Sequence, residues 1–285
     1  MEKNLLSNAA VKNIAYITMF IDHFFAVVYR VLMQQHQAAG YEMEGMEQIY
    51  SVGRAIGRTA FVLFAYLAVE GFMHTRSRKQ YLLRLGMFAF VSEIPFDLAF
   101  SGVCFHRGSQ NVFFTLFLGV LALTVWEWTV HRGEETAAVG RPDGKAVQKK
   151  GYRKRIWQIV GSMGVLLCCA AAYALQTDYK FMGVLLIFVL YQTRARSLSA
   201  QMGAAGCVML FGTWGVNCLK YAGSYSLNYL FQFSMGEMYG LFAVIPIFLY
   251  NGKKGRQLPK AFCYGFYPVH LLLLYGAAWI LRSGI

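Results

Sequence analysis

Long apolar blocks separated by short polar connections dominate the pattern of this chain. Nine blocks have the length and apolar content that favour a helix buried in a bilayer. They cover residues 13–33, 53–73, 81–100, 110–130, 156–176, 181–192, 199–220, 236–250 and 261–282. The pattern predicts an all-α fold, a polytopic transmembrane helix bundle of about nine helices. Eight or ten crossings stay open, because block 181–192 is shorter than a full span.

The composition agrees with this interpretation. Of 285 residues, 57% are hydrophobic and only 14% are charged, and the mean hydropathy is +0.41. A soluble domain carries roughly 25% charged residues, so a soluble enzyme is excluded, as is a disulfide-rich secreted scaffold. No segment outside the apolar blocks is long enough for a soluble domain, so residues 1–285 are predicted to form a single integral membrane domain.

The distribution of basic residues predicts the topology. The net charge is +13, and 20 of the 27 lysines and arginines fall in alternate connections between the blocks. Cytoplasmic connections carry such an excess, which predicts a cytoplasmic N-terminus and an extracytoplasmic C-terminus. The opposite connections hold only Arg107, Lys180 and Lys220 and the borderline Arg30 and Arg282. Because topology accounts for most of the charge, nucleic acid is not an expected partner. Membrane lipid is an expected partner, and binding of anionic lipid headgroups or of an acidic cytosolic ligand is a secondary role open to the basic connections. The first block is expected to be a retained helix.

The longest connection, residues 131–155, is basic and rich in glycine. Its composition predicts a mobile cytoplasmic loop with little fixed structure.

Ionisable residues inside the apolar blocks are the most informative polar positions, because each is costly in a bilayer and needs a partner or water. They are Asp22 and His23 in the first block, Arg54, Arg58, Glu70 and His74 in the second, and Glu93 and Asp97 in the third. The two arginines share one helix face, as do the last two carboxylates, so the two pairs can form a ladder of ion pairs. Asp22 is expected to reach an arginine of the second helix. A structural network and direct substrate contact are both compatible with this pattern.

Two histidines, His23 and His270, lie near the middle of their predicted helices. Imidazole is the usual side chain for proton transfer near neutral pH, although a histidine that only bonds a neighbouring helix fits the same position. Consecutive helix residues do not face each other, so Asp22 is not expected to orient His23.

Further polar residues can line a cavity on the outer side, among them Asn111, Asp178 and Tyr179. On the inner side, two basic runs can bind phosphate groups, although topology explains both equally well. One includes His74, Arg76, Arg78 and Lys79, and the other is Lys253-Lys254-Gly255-Arg256. No nucleotide-binding loop or clustered set of metal ligands is present, so neither ATP hydrolysis nor a metal cofactor is expected.

The ordered motifs of the chain, from about residue 12 to 275, resemble the TraX family. The motifs are Ile21-Asp22-His23-Phe24, Gly53-Arg54-x-x-Gly57-Arg58, Phe61-Val62-Leu63-Phe64-Ala65, Val69-Glu70-Gly71-Phe72, His74-Thr75-Arg76, Ser92-Glu93-Ile94-Pro95-Phe96-Asp97, Gln110-Asn111-Val112-Phe113-Phe114-Thr115, Asp178-Tyr179 and Phe266-Tyr267-Pro268-Val269-His270.

The resemblance implies a membrane-bound acyltransferase of the bacterial cytoplasmic membrane. Such an enzyme moves an acetyl or other acyl group from cytosolic acetyl-CoA or acyl-CoA to an extracytoplasmic amine or hydroxyl, either a pilin-like protein N-terminus or a polysaccharide. By motif position, His23 is expected to be the general base or an acyl carrier, with His270 as the second choice. The resemblance assigns the supporting polar shell to Asp22, Arg54, Arg58, Glu70, Glu93 and Asp97.

Two other classes of function fit the same intramembrane charges. One is a multi-helix transporter of a small anionic or zwitterionic solute, for which internal inverted repeats would be evidence; the sequence shows none. The other is an assembly factor without catalysis, for which His23 would be dispensable.

Overall fold

All nine apolar blocks are helical in the structure, a computed structural model that describes residues 5–138, 144–221, 223–224, 226–228, 231 and 235–284. Within those residues the chain forms nine helices and no strand. The helices are α1 (Asn8–Ala38), α2 (Glu44–His74), α3 (Arg78–Ser101), α4 (Val112–Ala138), α5 (Gly144–Ala174), α6 (Lys180–Thr193), α7 (Leu198–Tyr221), α8 (Gly236–Phe248) and α9 (Lys260–Ser283).

Five helices in the described part of the chain are long and apolar enough to cross a membrane. They are α1, α2, Val112–Glu135 of α4, Gly151–Ala174 of α5 and Ala261–Ser283 of α9. Helices α6 and α8 are apolar but short, and α3 contains Arg84, Glu93 and Asp97 in its apolar part. The number of crossings and the side of each terminus stay predictions.

The connection 131–155 differs from its expected irregular structure. Helix α4 continues to Ala138 and α5 begins at Gly144, so this segment is helical on both sides of residues 139–143. Residues 139–143 lie outside the described residues, as does Lys3, one of the basic residues counted for the topology. Lysine, arginine, glutamate and alanine are good helix formers, and their abundance here extends the membrane helices. Mobility of this segment is still a prediction.

Helix α2 is the centre of the bundle. It packs against α1, α8, α6 and α4, while α9 packs against α3 and α1. The main core includes Phe61, Leu63 and Phe72 of α2, with Leu186 of α6 and Leu271 of α9. Helix α1 changes to a π-helical turn at Phe25–Tyr29, which begins two residues after His23, and such turns are frequent at functional sites.

The ends of several helices meet at one face of the bundle, which we call the basic face. Backbone hydrogen bonds join residues 6–9 to residues 249–254, and the end of α2 lies beside the start of α3. Lys12, His74, Arg84 and Lys254 line one cavity at this face. These contacts bring several of the basic segments to one face of the bundle; the side of a membrane on which that face lies stays a prediction.

Candidate functional site

Asp22 and Arg54 form the ion pair that joins α1 to α2. Arg54 Nη1 lies 2.7 Å from Asp22 Oδ2 and also donates to the Asp22 carbonyl at 3.2 Å. Gly57 permits this approach, because a Cβ at that position would lie 2.7 Å from the Asp22 Cα. The pairing of Asp22 with an arginine of the second helix is thereby confirmed.

Arg58 lies one turn further along α2 and has a different set of partners. Its Nη2 lies 3.3 Å from Glu237 Oε1 at the start of α8. Asp178 and Tyr179, in the loop before α6, are close enough to interact with Arg58 electrostatically. Burial raises the pKa of the Asp178 carboxyl to about 6, and the nearby Arg58 opposes this rise. The polar residues Asp22, Arg54, Arg58, Asp178, Tyr179 and Glu237 are called the polar network below.

The loop that carries Asp178 and Tyr179 is held in an uncommon conformation. Gln176, Tyr179 and Lys180 have positive φ angles of 53°, 61° and 46°, which L side chains rarely adopt. Tyr179 stacks on Phe61 of α2, with ring planes 7° apart, and Thr115 of α4 donates a hydrogen bond to the Asp178 carbonyl. These contacts fix the loop against the polar network.

His23 and His270 form a direct hydrogen bond between α1 and α9. His23 Nδ1 lies 2.7 Å from His270 Nε2, and His270 Nδ1 lies 2.7 Å from the Phe266 carbonyl oxygen. Both side chains are buried. A carbonyl oxygen only accepts, so His270 donates from Nδ1 and, when neutral, accepts at Nε2. His23 therefore donates from Nδ1, which leaves a lone pair on its Nε2.

Glu93 and Asp97 are not in the ion-pair ladder that the sequence allowed. Glu93 Oε2 accepts from the Asn111 backbone and side chain at 3.2 and 2.5 Å, and Asp97 Oδ2 accepts from the His106 backbone at 2.7 Å. Both carboxylates are buried and bind the connection before α4. The reason is that the backbone N–H groups of this connection are not paired within a helix, and the two buried carboxylates accept from them.

A cavity of about 730 Å³ opens at the basic face. Its mouth includes Lys12, His74, Arg84 and Lys254, together with Glu70. Its walls are rich in tyrosine, and the lining also contains Met19, Phe113 and Tyr267. The tyrosines of the lining are Tyr16, Tyr81, Tyr250, Tyr264 and Tyr267.

The cavity leads toward the histidine pair. Met19 precedes His23 by one helical turn, and the Tyr267 ring packs edge-on against His23 at 5.8 Å and against His270 at 5.6 Å between centroids. One side of this space is therefore open at the basic face and the other ends one layer of side chains from His23.

The basic run expected to bind phosphate groups is only partly at this cavity. His74 lines it and lies 3.6 Å from Glu70, which also accepts a hydrogen bond from Tyr250 at 3.1 Å. Arg78 pairs instead with Glu127 of α4 at 3.4 Å, and Arg76 and Lys79 are exposed at the surface. Neither Arg76, Arg78 nor Lys79 is part of the cavity lining.

Sequence reasoning missed Lys12 and Arg84 at this cavity, whereas Lys254 belongs to the second basic run expected to bind phosphate groups. Lys12, Arg84 and Lys254 belong to three separate segments, and each looks like an ordinary topological charge when taken alone. Their convergence depends on the packing of α1, α3 and the connection before α9. In the part of the chain that the structure describes, no group of three or more histidine, cysteine, aspartate or glutamate residues is placed to hold a metal ion.

Comparison with known proteins agrees with the sequence motifs. The family model described as TraX protein matches residues 7–278. A probable fimbrial assembly protein FimC, serogroup H1, of Dichelobacter nodosus is 25% identical over 248 residues, which cover 82% of this chain and 85% of that protein. No solved structure matches significantly. The family model spans nearly the whole bundle and includes the polar network and both histidines, and the chain therefore belongs to the TraX family.

Proposed function

We propose that the protein is an acyltransferase of the bacterial cytoplasmic membrane that uses cytosolic acyl-CoA, with acetyl-CoA as the expected donor. The observation that carries the proposal is the buried His23–His270 pair, which lies one layer of side chains beyond a cavity lined by Lys12, Arg84 and Lys254. This arrangement supports a base within the helix bundle and a donor that approaches it from the basic face.

The cavity suits the chemistry of an acyl-CoA. The nucleotide end of the donor is polyanionic, and Lys12, Arg84 and Lys254 meet at the mouth to receive it. The pantetheine arm is long and thin and carries amide groups, for which the tyrosine hydroxyl groups of the wall are partners. The volume of about 730 Å³ lies in the range of small-molecule sites.

His23 is the proposed general base. Its Nε2 lone pair takes a proton from the amine or hydroxyl of the acceptor as that atom attacks the thioester carbonyl. The carbon–sulfur bond then breaks, and the proton passes from Nε2 to the departing thiolate, which leaves as free CoA thiol. A covalent acetyl-His23 intermediate satisfies the same balance in two steps.

His270 is proposed as a positioning residue. Its bond to the Phe266 carbonyl fixes the His270 tautomer, and through it the tautomer and orientation of His23. Arg54 lies near enough to His23 to act on it electrostatically, and its guanidinium is available to stabilise negative charge that develops on the thioester oxygen.

The acceptor is proposed to be extracytoplasmic, either the N-terminus of a pilin-like protein or a hydroxyl of a polysaccharide. The D. nodosus relative is named for fimbrial assembly, which favours a pilin-like protein and an involvement of this chain in pilus assembly.

A transporter is the second candidate function. The polar network inside the bundle and the two short helices α6 and α8 are features that transporters share. Flux of a labelled anionic or zwitterionic solute into proteoliposomes, without release of CoA thiol, would favour this alternative.

The test measures thiol release from acetyl-CoA by the purified chain with amine and polyol acceptors. We expect His23→Ala to lower turnover by about 10²- to 10⁴-fold while binding of acetyl-CoA is retained. His270→Ala should lower turnover by about 10- to 100-fold, the loss typical of a partner that orients a histidine, and should shift the pH profile. His36→Ala, at a partly exposed histidine near the end of α1 and away from the cavity, is the matched control.

Two outcomes decide whether a covalent intermediate forms and whether the histidines take part in the reaction. Retained label on the wild-type protein, lost in His23→Ala, would favour the covalent intermediate. Full turnover in both His23→Ala and His270→Ala would contradict the proposal.

A further inference from the structure

A second large space, away from both histidines, opens sideways between α5, α6 and α7. It has a volume of about 780 Å³ and its lining is mostly apolar, with Leu185, Val208 and Phe211 among its residues. Phe211 is 59% exposed, so the space is accessible from the lipid side of the bundle. We call it the lateral cleft.

Two lysines line one end of the lateral cleft. Lys180 begins α6 and Lys220 lies near the end of α7. Each lies near a tyrosine ring, at 5.9 Å from Tyr173 and 5.1 Å from Tyr221 respectively. Among the described residues, no carboxylate forms an ion pair with either lysine.

The position of these lysines is not explained by topology. They lie at the face opposite to the basic face. The connections at that opposite face hold only one other basic residue, Arg107, if the borderline Arg30 and Arg282 are set aside. Lysine is disfavoured in such connections. Two of the three basic residues at this face nevertheless line one cleft.

We propose that the lateral cleft binds an anionic glycerophospholipid of the surrounding bilayer. Lys180 and Lys220 bind the headgroup phosphate, and an acyl chain lies along the apolar wall formed by residues such as Leu185 and Phe211. A phosphate above an apolar tail matches two cations above an apolar groove, and the cleft opens where only lipid is present. This site is independent of the proposed acyl transfer.

The site also adjoins the polar network. Gln176 and Lys180 line the lateral cleft, whereas Asp178 and Tyr179, between them in the chain, interact with Arg58. The loop that carries Asp178 and Tyr179 therefore separates the lateral cleft from the polar network. A phosphate bound to Lys180 helps to hold this strained loop in place.

The experiment titrates the full-length protein, freed of co-purified lipid in detergent, with phosphatidylglycerol or phosphatidylcholine, and counts bound lipid by native mass spectrometry. We expect tighter binding of phosphatidylglycerol, weakened by salt. Lys180→Gln and Lys220→Gln should each weaken it about fivefold, the factor for one basic side chain near an anionic headgroup. Arg107→Gln, which removes the third basic residue of that face, should bind as the wild type does.

A second pair of variants tests the apolar part without a change of charge. Gly215 lines the lateral cleft, and a Cβ there meets nothing within 4 Å, so Gly215→Phe fills the cleft and should abolish binding of phosphatidylglycerol. Gly203, on the same helix and equally open but outside the lining, gives the matched control Gly203→Phe.

Equal binding of the two lipids, or an unchanged preference in Lys220→Gln, would overturn the proposal and leave the cleft an ordinary lipid-facing groove. Because Lys220 is exposed, that single variant should fold even if Lys180→Gln disturbs the loop.

Discussion

Replacement of Gly57 by alanine should push α1 and α2 apart at the polar network. The new Cβ would lie 2.2 Å from Asp22 Oδ1, 2.4 Å from Asp22 Cβ and 2.7 Å from Asp22 Cα. The carboxylate can rotate away, but the backbone cannot. The Asp22 Cβ moves only with the backbone, and ordinary contact begins at 3.4 Å, so the two helices must separate by about 1 Å at this point.

The separation has two measurable consequences. Overpacking of this kind costs about 1–3 kcal/mol of stability. The bond between Arg54 Nη1 and Asp22 Oδ2, now 2.7 Å, would lengthen toward the limit of a hydrogen bond. If the network supports catalysis, turnover should fall with it.

The assay is equilibrium unfolding of the purified protein in mixed micelles, followed by tryptophan fluorescence. Gly45→Ala is the control on the same helix, because a Cβ at that position meets nothing within 4 Å. That variant should be neutral or slightly more stable, since alanine is the better helix former. If Gly57→Ala is as stable as Gly45→Ala and keeps its turnover, the close approach of α1 and α2 is refuted.

Three further predictions concern buried polar groups. Asn111→Ala removes the side-chain donor to Glu93 and the side-chain acceptor for the Phe113 N–H, and should cost about 2–4 kcal/mol; an unfolding curve equal to the wild type would contradict this. Because the folded-state pKa of Asp178 is raised to about 6, its contribution to stability is complete below pH 4 and is lost as the pH rises through 6. Asp178→Asn should remove this loss of stability, which is on the order of 1–2 kcal/mol. Thermal denaturation of the wild type and the variant between pH 4 and 7 measures the loss; a parallel pH dependence in the two proteins would argue against the prediction. Tyr250→Phe removes the hydrogen bond to Glu70 and should cost about 1 kcal/mol, with Tyr239→Phe at an exposed tyrosine as the control in the same unfolding assay; equal losses in the two variants would speak against a role for that bond.

The helices and one ion pair could be predicted from the sequence for identifiable reasons. An apolar block of about 20 residues has few structures open to it other than a spanning helix. Asp22 and Arg54 belong to consecutive helices with a short connection, so their helices pack side by side and an intramembrane carboxylate has little choice of cation.

The partners that the sequence did not predict are distant in the chain. His23 and His270 are 247 residues apart and meet only because α9 returns to pack beside α1. Glu93 and Asp97 have the spacing that would match Arg54 and Arg58, but spacing on two helices says nothing about how they are rotated toward each other. The two carboxylates instead accept hydrogen bonds from backbone N–H groups of the connection before α4. The pattern of side chains does not reveal such partners.

The starts of the short helices α6 and α8 and the polar network share the same two carboxylates, Asp178 and Glu237. Helices α6 and α8 begin at the network, and the unsatisfied N–H groups of a helix start carry partial positive charge. Asp178 accepts a hydrogen bond from the Tyr179 N–H at 3.1 Å, directly before α6, and Glu237 lies in the first turn of α8. These two carboxylates place negative charge at the starts of both helices and also balance Arg58. The charges that make the site polar are therefore the same charges that favour the starts of the two short helices.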